Sequence, residues 1–254
     1  MNSLRNWFQH PITKDYDLDD PKTTMLRYEI LRSKPFLNRI YREWYEMIFQ
    51  HIKEIDKILE IGSGAGFLNL FSKEVFLTDV LHLPGINFQC DGHYLPVKSQ
   101  SLHSIVMVNV LHHMSDPDAF FMEASRSLQI NGTICMVEPW ATQWSSIFYP
   151  KFHHEKFDKK SKRWGFSDGG PLSGSNQAIP WIIFSRDLSI FNSKFPNLSV
   201  EIIKPIMPFV YILSGGISLR FSMPVQFYNL IRKFERLIEE KQGLFALIVI
   251  RKKY

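Results

Sequence analysis

Apolar and polar positions alternate along this chain in two rhythms. Between Thr23 and Lys53, apolar and aromatic residues recur at helical spacing (Leu26, Ile30, Phe36, Ile40, Tyr41, Trp44, Tyr45, Ile48), one face of an amphipathic helix. Pro35 interrupts the series and predicts two helices. Residues 1–22, polar with two prolines and several aspartates, read as an irregular arm. Beyond Lys53 short apolar runs alternate with helical stretches. Strands are expected at Lys57–Ile61, Val75–Val80, Asn87–Cys90, Ser104–Val110, Thr133–Glu138, Leu198–Ile206 and Phe245–Arg251. Helices are expected at Phe67–Lys73, Pro117–Leu128, Trp181–Lys194 and Pro224–Lys241. This alternation predicts a three-layer α/β architecture around a seven-stranded, mostly parallel sheet.

Two stretches break the rhythm. Only a few residues separate Val80 from Asn87, whereas a parallel crossover usually takes about a dozen, so no helix is expected there. Residues 139–180 carry no convincing periodicity and are rich in Trp, His, Lys, Gly and Ser. Long loops of this kind inside a compact domain are usually lids or binding loops.

Composition narrows the picture. With 254 residues, 45% of them hydrophobic, the chain can bury a core and is expected to form one domain, 1–254, with an insertion. The longest apolar runs, Ile206–Leu213 and Leu244–Ile250, fall short of the ~20 residues of a membrane span. The N-terminus shows no apolar signal region, and the expectation is a cytoplasmic protein without an integral membrane segment. Cys90 and Cys135 fall in strands expected to lie four spacings, roughly 19 Å, apart. A disulfide needs Cα atoms within about 7 Å, so both are expected to be free thiols. A net charge of +5 permits an anionic partner without requiring one, and no dense basic-aromatic patch marks a nucleic-acid surface.

The stretch with the clearest chemistry is KILEIGSGAGF (57–67), an apolar strand that ends in a glycine turn leading to a helix. Such a turn lets backbone N–H groups approach a ligand. The spacing is G-x-G-x-G with Glu60 two residues ahead. It is neither the G-x-G-x-x-G of a dinucleotide site nor a phosphate loop, which would need a following lysine.

The turn resembles the E/D-x-G-x-G-x-G motif of class I S-adenosylmethionine-dependent methyltransferases, of the type 11-like kind. The likeness continues through LTDV (77–80), CDGHYLPVKSQSLHSIVMVNVLHHM (90–114) and LQINGTICMVEP (128–139), and covers about residues 56–139. It implies a Rossmann-like sheet with N-terminal helices (1–53), a cofactor-binding core (54–138), an acceptor lid inserted after the fifth strand (139–180) and the C-terminal half of the sheet (181–254). The implied cofactor is S-adenosyl-L-methionine. The resemblance places Glu60, Gly62, Ser63 and Gly64 at its amino-acid end and ribose, and Asp79 on the ribose hydroxyls. Asp91 and Gly92 fall at the adenine edge, and Asn109 and Val110 near the methionine portion. Gly66 and Glu60 are equally explained by helix packing and by hydrogen bonds within the loop. The chain departs from the family at SLHS (101–104), where His103 stands in place of a frequent aspartate.

The acceptor is less legible. The chain has NVLH (109–112) where methyltransferases of base and glutamine nitrogens carry [D/N]-P-P-[Y/F], which points away from that branch. A hydroxyl acceptor benefits from a general base. The candidates are His112 and His113 after the fourth strand, and His153 and His154 beside Glu155 in 139–180, with His154 and His113 the leading pair. The first pair is equally explained as packing or capping the next helix, the second as a surface loop. No metal site is expected. FSDGGPLSGSNQAIPW (166–181) suits hydrogen bonds to a small-molecule or glycan acceptor, although a plain turn cluster has the same composition. PIMPFVYILSGGISLRFSMP (205–224) reads as core or as an apolar wall for a lipid or quinone-like acceptor. A cofactor-binding module without catalysis is the remaining alternative.

Overall fold

The computed structural model describes residues 17–64, 67–72, 74–153 and 155–254. Seven strands form one sheet: β1 (Ile58–Ile61), β2 (Val75–Asp79), β3 (Phe88–Gln89), β4 (Leu102–Val108), β5 (Leu128–Pro139), β6 (Leu198–Ile206) and β7 (Phe245–Lys252), in the spatial order β3-β2-β1-β4-β5-β7-β6. All neighbours are parallel except β7, which runs antiparallel to both β5 and β6. The order reverses between β1 and β4. In open α/β sheets that switch point, at the carboxyl ends of the strands, opens a crevice for ligands.

The central strands are buried on both faces, and their side chains sort into two cores. Ile105, Met107, Ile134, Met136, Ile248 and Ile250 face a cluster with α3 (Pro117–Ser127) and the helical stretch from Ile179 to Lys194. Val106, Cys135, Val137, Leu247 and Val249 face the other way, toward α2 (Pro35–Phe49). Period-two alternation thus serves two hydrophobic layers.

The N-terminal helices follow local rules. The Asp20 side chain accepts from the Lys22 N–H, and Pro21 opens α1 (Pro21–Ser33). Lys34 is extended ahead of Pro35, as a residue before proline prefers, and α2 restarts with Phe36, Leu37, Ile40, Trp44, Tyr45 and Ile48 buried. The β2–β3 connection contains no helix. The Asn87 side chain closes it, accepting from the Leu77 N–H at 2.7 Å. Both cysteines are free and buried, and burial pushes the Cys135 thiol up to about 12. No helix among the described residues is long and apolar enough to cross a membrane.

Four expectations need correction. Residues 143–152 form a helix, α4 (Gln143–Phe152), started by a Thr142–Ser145 capping box. Pro150 and the bulky Trp, Phe and Tyr residues hid its period. The expected helix at Phe67–Lys73 is a 3-10 turn, Phe67–Leu70, and Lys73 lies outside the described residues. The expected helix Trp181–Lys194 is split by a π turn, Ile182–Arg186, before α5 (Leu188–Lys194). The expected helix Pro224–Lys241 is a 3-10 turn, then α6 (Tyr228–Glu235), then a single turn, Glu239–Gln242.

The inner face of α6 is ionic. The buried Arg232 guanidinium donates to Glu43 of α2 at 2.8 and 2.9 Å, to Glu235 at 2.8 Å and to Glu239 at 3.0 Å. The Tyr228 hydroxyl donates to Glu43 at 2.7 Å. Removing one partner of such a network strands buried charge. Arg232→Met is expected to lower the unfolding free energy by about 3–5 kcal/mol in urea titrations.

Candidate functional site

The carboxyl ends of β1, β2 and β4 meet at the glycine turn. Gly62 and Gly64 adopt left-handed backbone conformations, with φ of +65° and +57°. A Cβ on Gly62 would sit 2.6 Å from Val110 Cγ2, whereas one on Gly64 would meet only Thr24 Cγ2 at 3.7 Å. Gly62 is therefore fixed by packing as well as by conformation. Gly64 presents open backbone. Ser63 ties the turn to β2, its N–H and hydroxyl both reaching the Thr78 carbonyl. Gly66 lies outside the described residues.

Asp79, at the end of β2, is buried and accepts from the N–H groups of Gly64 and Leu81 at 3.0 and 2.9 Å. Burial pushes its carboxyl up from the ordinary range. Glu60 is buried beside the turn, and its Oε1 accepts from the Tyr45 hydroxyl at 2.6 Å. Burial pushes this carboxyl up to about 8, against the pull of the Tyr45 bond and with help from Asp79. Asp91 is exposed and pairs with His93 at 2.5 Å. Gly92 is a packing position, because a Cβ there would lie 2.8 Å from Met114 Cε. Asn109 and Val110 follow β4 directly. Asn109 is itself left-handed, with φ +58°.

A cavity of about 220 Å³ opens over this turn. Its wall takes in Gly62, Ser63, Gly64 and Asn109, together with His112, His113, His153 and Glu155. Glu60, Asp79, Asp91, Gly92 and Val110 are not among its lining residues. His154 lies outside the described residues.

The far wall is a buried ionic cluster centred on Glu138, at the end of β5. One Glu138 oxygen accepts from the N–H groups of Val110 and Leu111 at 2.7 and 2.8 Å; the other meets His112 Nδ1 at 2.7 Å. His112 Nε2 faces Glu155 at 3.3 Å. Burial alone would depress the His112 imidazolium, but the bonds to Glu138 and Glu155 outweigh it and lift His112 to about 9. The adjacent His113 goes the opposite way. Burial and the His112 charge push it down to about 4, and its Nδ1 lies 3.0 Å from the Gly174 carbonyl. Glu155 is half-buried, and although burial raises its carboxyl, the hydrogen bond and charge of His112 hold it far below the usual carboxylate range. His113 does not cap the next helix, since the Asp116 side chain caps α3.

His112, His113 and Glu155 bring donor atoms within 4.8 Å of one another, as do Glu54, Asp56 and His103. Either set could hold a metal ion. In the first set, His112 is already held between the Glu138 and Glu155 carboxylates.

Sequence reasoning missed the third wall. Thr24, Arg27, Tyr28 and Leu31 of α1 line the cavity, as do Tyr41 and Tyr45 of α2. The spacing 24, 27, 28, 31 is one helical face, and its mixed polar and aromatic character on an inward face was the available signal. A carboxylate ending the apolar run ICMVE was the signal for Glu138. Asp19 closes this wall onto the 168–174 loop, accepting from the N–H groups of Leu172 and Ser173 at 2.7 and 3.0 Å.

A family model described as "Methyltransferase domain" matches residues 78–136. The chain is similar in fold to a chain of the complex between the Haloferax volcanii Trm112 methyltransferase activator and a methyltransferase (TM-score 0.56, 10% identity, 94% of this chain and 100% of that one). It is likewise similar to the geranyl diphosphate C-methyltransferase of Streptomyces coelicolor (TM-score 0.51, 11% identity, 97% and 92%). No curated protein matches the sequence. The matched segment, the sheet order and the glycine turn at its switch point agree with the fold of class I S-adenosylmethionine-dependent methyltransferases. The cofactor that this fold implies is S-adenosyl-L-methionine. Three buried polar atoms around the turn fit such a ligand: Thr24 Oγ1, Glu60 Oε2 and Asn109 Oδ1 have no hydrogen-bond partner, and the cofactor offers an ammonium and ribose hydroxyls as donors.

Glu60 yields a pH test. Its folded carboxyl is raised above the unfolded value, so the stability it contributes is present below about pH 4.5 and is lost as pH rises toward 8. Glu60→Gln is expected to flatten the decline in melting temperature across that window in apo protein.

Proposed function

We propose that the chain transfers the methyl group to an oxygen of a small hydroxylated acceptor, of saccharide type, seated in the cavity between the glycine turn and the His–Glu cluster. When bound, S-adenosylmethionine supplies an electrophilic methyl on a sulfonium and leaves as S-adenosylhomocysteine. What the chain adds is alignment and a proton acceptor.

The observation that carries this reading is His113. Its Nδ1–H donates to the Gly174 carbonyl, which leaves the Nε2 lone pair toward Glu155, 3.8 Å away, in the cavity wall. It is uncharged at neutral pH. As the acceptor oxygen takes up the methyl group, its hydroxyl proton would pass to His113 Nε2. Glu155 faces the imidazolium so formed. His154, the other candidate base, is the alternative tested alongside.

On the cofactor side, the reading assigns the ribose hydroxyls to Asp79, whose oxygens retain lone pairs beyond the Gly64 and Leu81 bonds. Gly64, Ser63 and Asn109 take the amino-acid portion, with Glu60 behind them. Gly62 and Val110 shape the turn, and Asp91 and Gly92 stand toward the adenine. The tyrosines among the lining residues, Tyr28, Tyr41, Tyr45, Tyr149 and Tyr211, favour a second reading in which the acceptor is lipid or quinone-like.

His113→Ala is expected to lower turnover about 10²- to 10⁴-fold with cofactor affinity nearly intact. Loss of turnover in His154→Ala with His113→Ala active would instead move the base to His154. Asp79→Ala is expected to weaken cofactor binding by about 1.5–3 kcal/mol in calorimetry. Gly64→Val should abolish cofactor binding in a folded protein, because a β-branched residue tolerates positive φ badly.

A further inference from the structure

Helix α6 is inside out. Its buried side holds Tyr228, Arg232 and Glu235, while its solvent side carries the apolar residues. Phe227, Leu230, Phe234 and Leu237 follow one another at intervals of three and four and so share a stripe. Leu230, Phe234 and Leu237 are 55%, 62% and 80% exposed. Charge inside and aromatic residues outside reverse the usual pattern of a surface helix. The Arg232 network fixes this orientation, since rotating the stripe inward would withdraw Arg232 from Glu43 and Glu239.

The segment leading into α6 repeats the theme. Gly215 and Gly216 are left-handed, and the Lys34 ammonium is inserted among the carbonyls of Gly216, Leu219 and Phe221. A buried lysine holding three carbonyls makes this a fixed loop, and it presents Leu219 and Phe221 to solvent. Just before them, Ile217 and Ser218 line the cavity.

We propose that residues 219–238 dock on the surface of an anionic lipid bilayer, with the apolar stripe entering the headgroup layer. The occupant follows from charge. The exposed ionisable side chains of this segment are Arg220, Lys233 and Arg236, all basic, while its carboxylate, Glu235, is buried against Arg232. A stripe of Phe and Leu flanked by Lys and Arg is the pattern of a helix lying in a membrane interface. Docking in this way sets the cavity wall at Ile217 and Ser218 next to the lipid. The inference is independent of which acceptor atom is methylated.

The test is sedimentation of the whole protein with vesicles of phosphatidylcholine, with and without phosphatidylglycerol. Wild type should sediment with the anionic vesicles, and less so in high salt. The double substitution Phe234→Ser with Leu237→Ser removes two solvent-exposed side chains, leaves the fold intact by circular dichroism, and should cut vesicle partitioning at least about tenfold. Lys233→Gln and Arg236→Gln should each cost about fivefold on anionic vesicles and nothing on neutral ones. Absence of wild-type binding to both compositions would overturn the proposal. So would binding that survives the double substitution, or a wild-type dimer in sedimentation equilibrium that the double substitution converts to monomer, which would assign the face to a second copy. Methyl transfer to a soluble acceptor should be unchanged in these variants, so failure of the docking and failure of the methyl-transfer reading are separable.

Discussion

The candidate site hangs on the carboxylate of Glu138. It is fully buried at the end of β5 and serves three partners on the chain leaving β4: the N–H groups of Val110 and Leu111 and the ring of His112. An apolar residue there would leave two buried N–H groups unsatisfied and His112 without its counter-charge, a heavy penalty in a dry environment. Because Val110 also packs against Gly62, the turn after β4 and the turn after β1 are set together. One carboxylate thus fixes both the histidine pair and one edge of the cofactor turn.

Much of the sheet was legible because its central strands are buried on both faces and separated by marked turns; β6 matches its expected bounds, whereas β5 begins five residues earlier than expected, at Leu128. Helices were less legible where their inward face is not apolar. α1 turns Thr24, Arg27 and Tyr28 toward a cavity, so apolar periodicity finds the helix but not its cavity-lining face; α6 buries Arg232 and Glu235, and the same search overextends it. α4 was hidden by Pro150 and by aromatic residues on several sides.

The candidate site divides along the same line. The glycine turn is readable from local chain requirements, because glycine is the residue that adopts φ of +65° at no steric cost. Likewise a carboxylate at the end of a buried strand is anomalous enough to notice in Asp79. The His112–Glu138–Glu155 grouping joins residues from three distant parts of the chain, and its opposed histidines depend on burial and mutual charge. Two adjacent letters HH cannot say which ring is the cation.

The loop at 168–174 carries a further consequence. It is clasped to Asp19 at Leu172 and Ser173, and the same loop offers the Gly174 carbonyl to His113 Nδ1. The contacts that seat the loop and the contact that sets the His113 tautomer thus lie on one short segment. Were the loop lifted, the ring would lose the partner that keeps its proton on Nδ1. In the reaction proposed above, the protein is poised to accept a proton only while the chamber is shut. Under that proposal, the Asp19 clasp would serve the methyl donor as well as the base, by keeping bulk water from both.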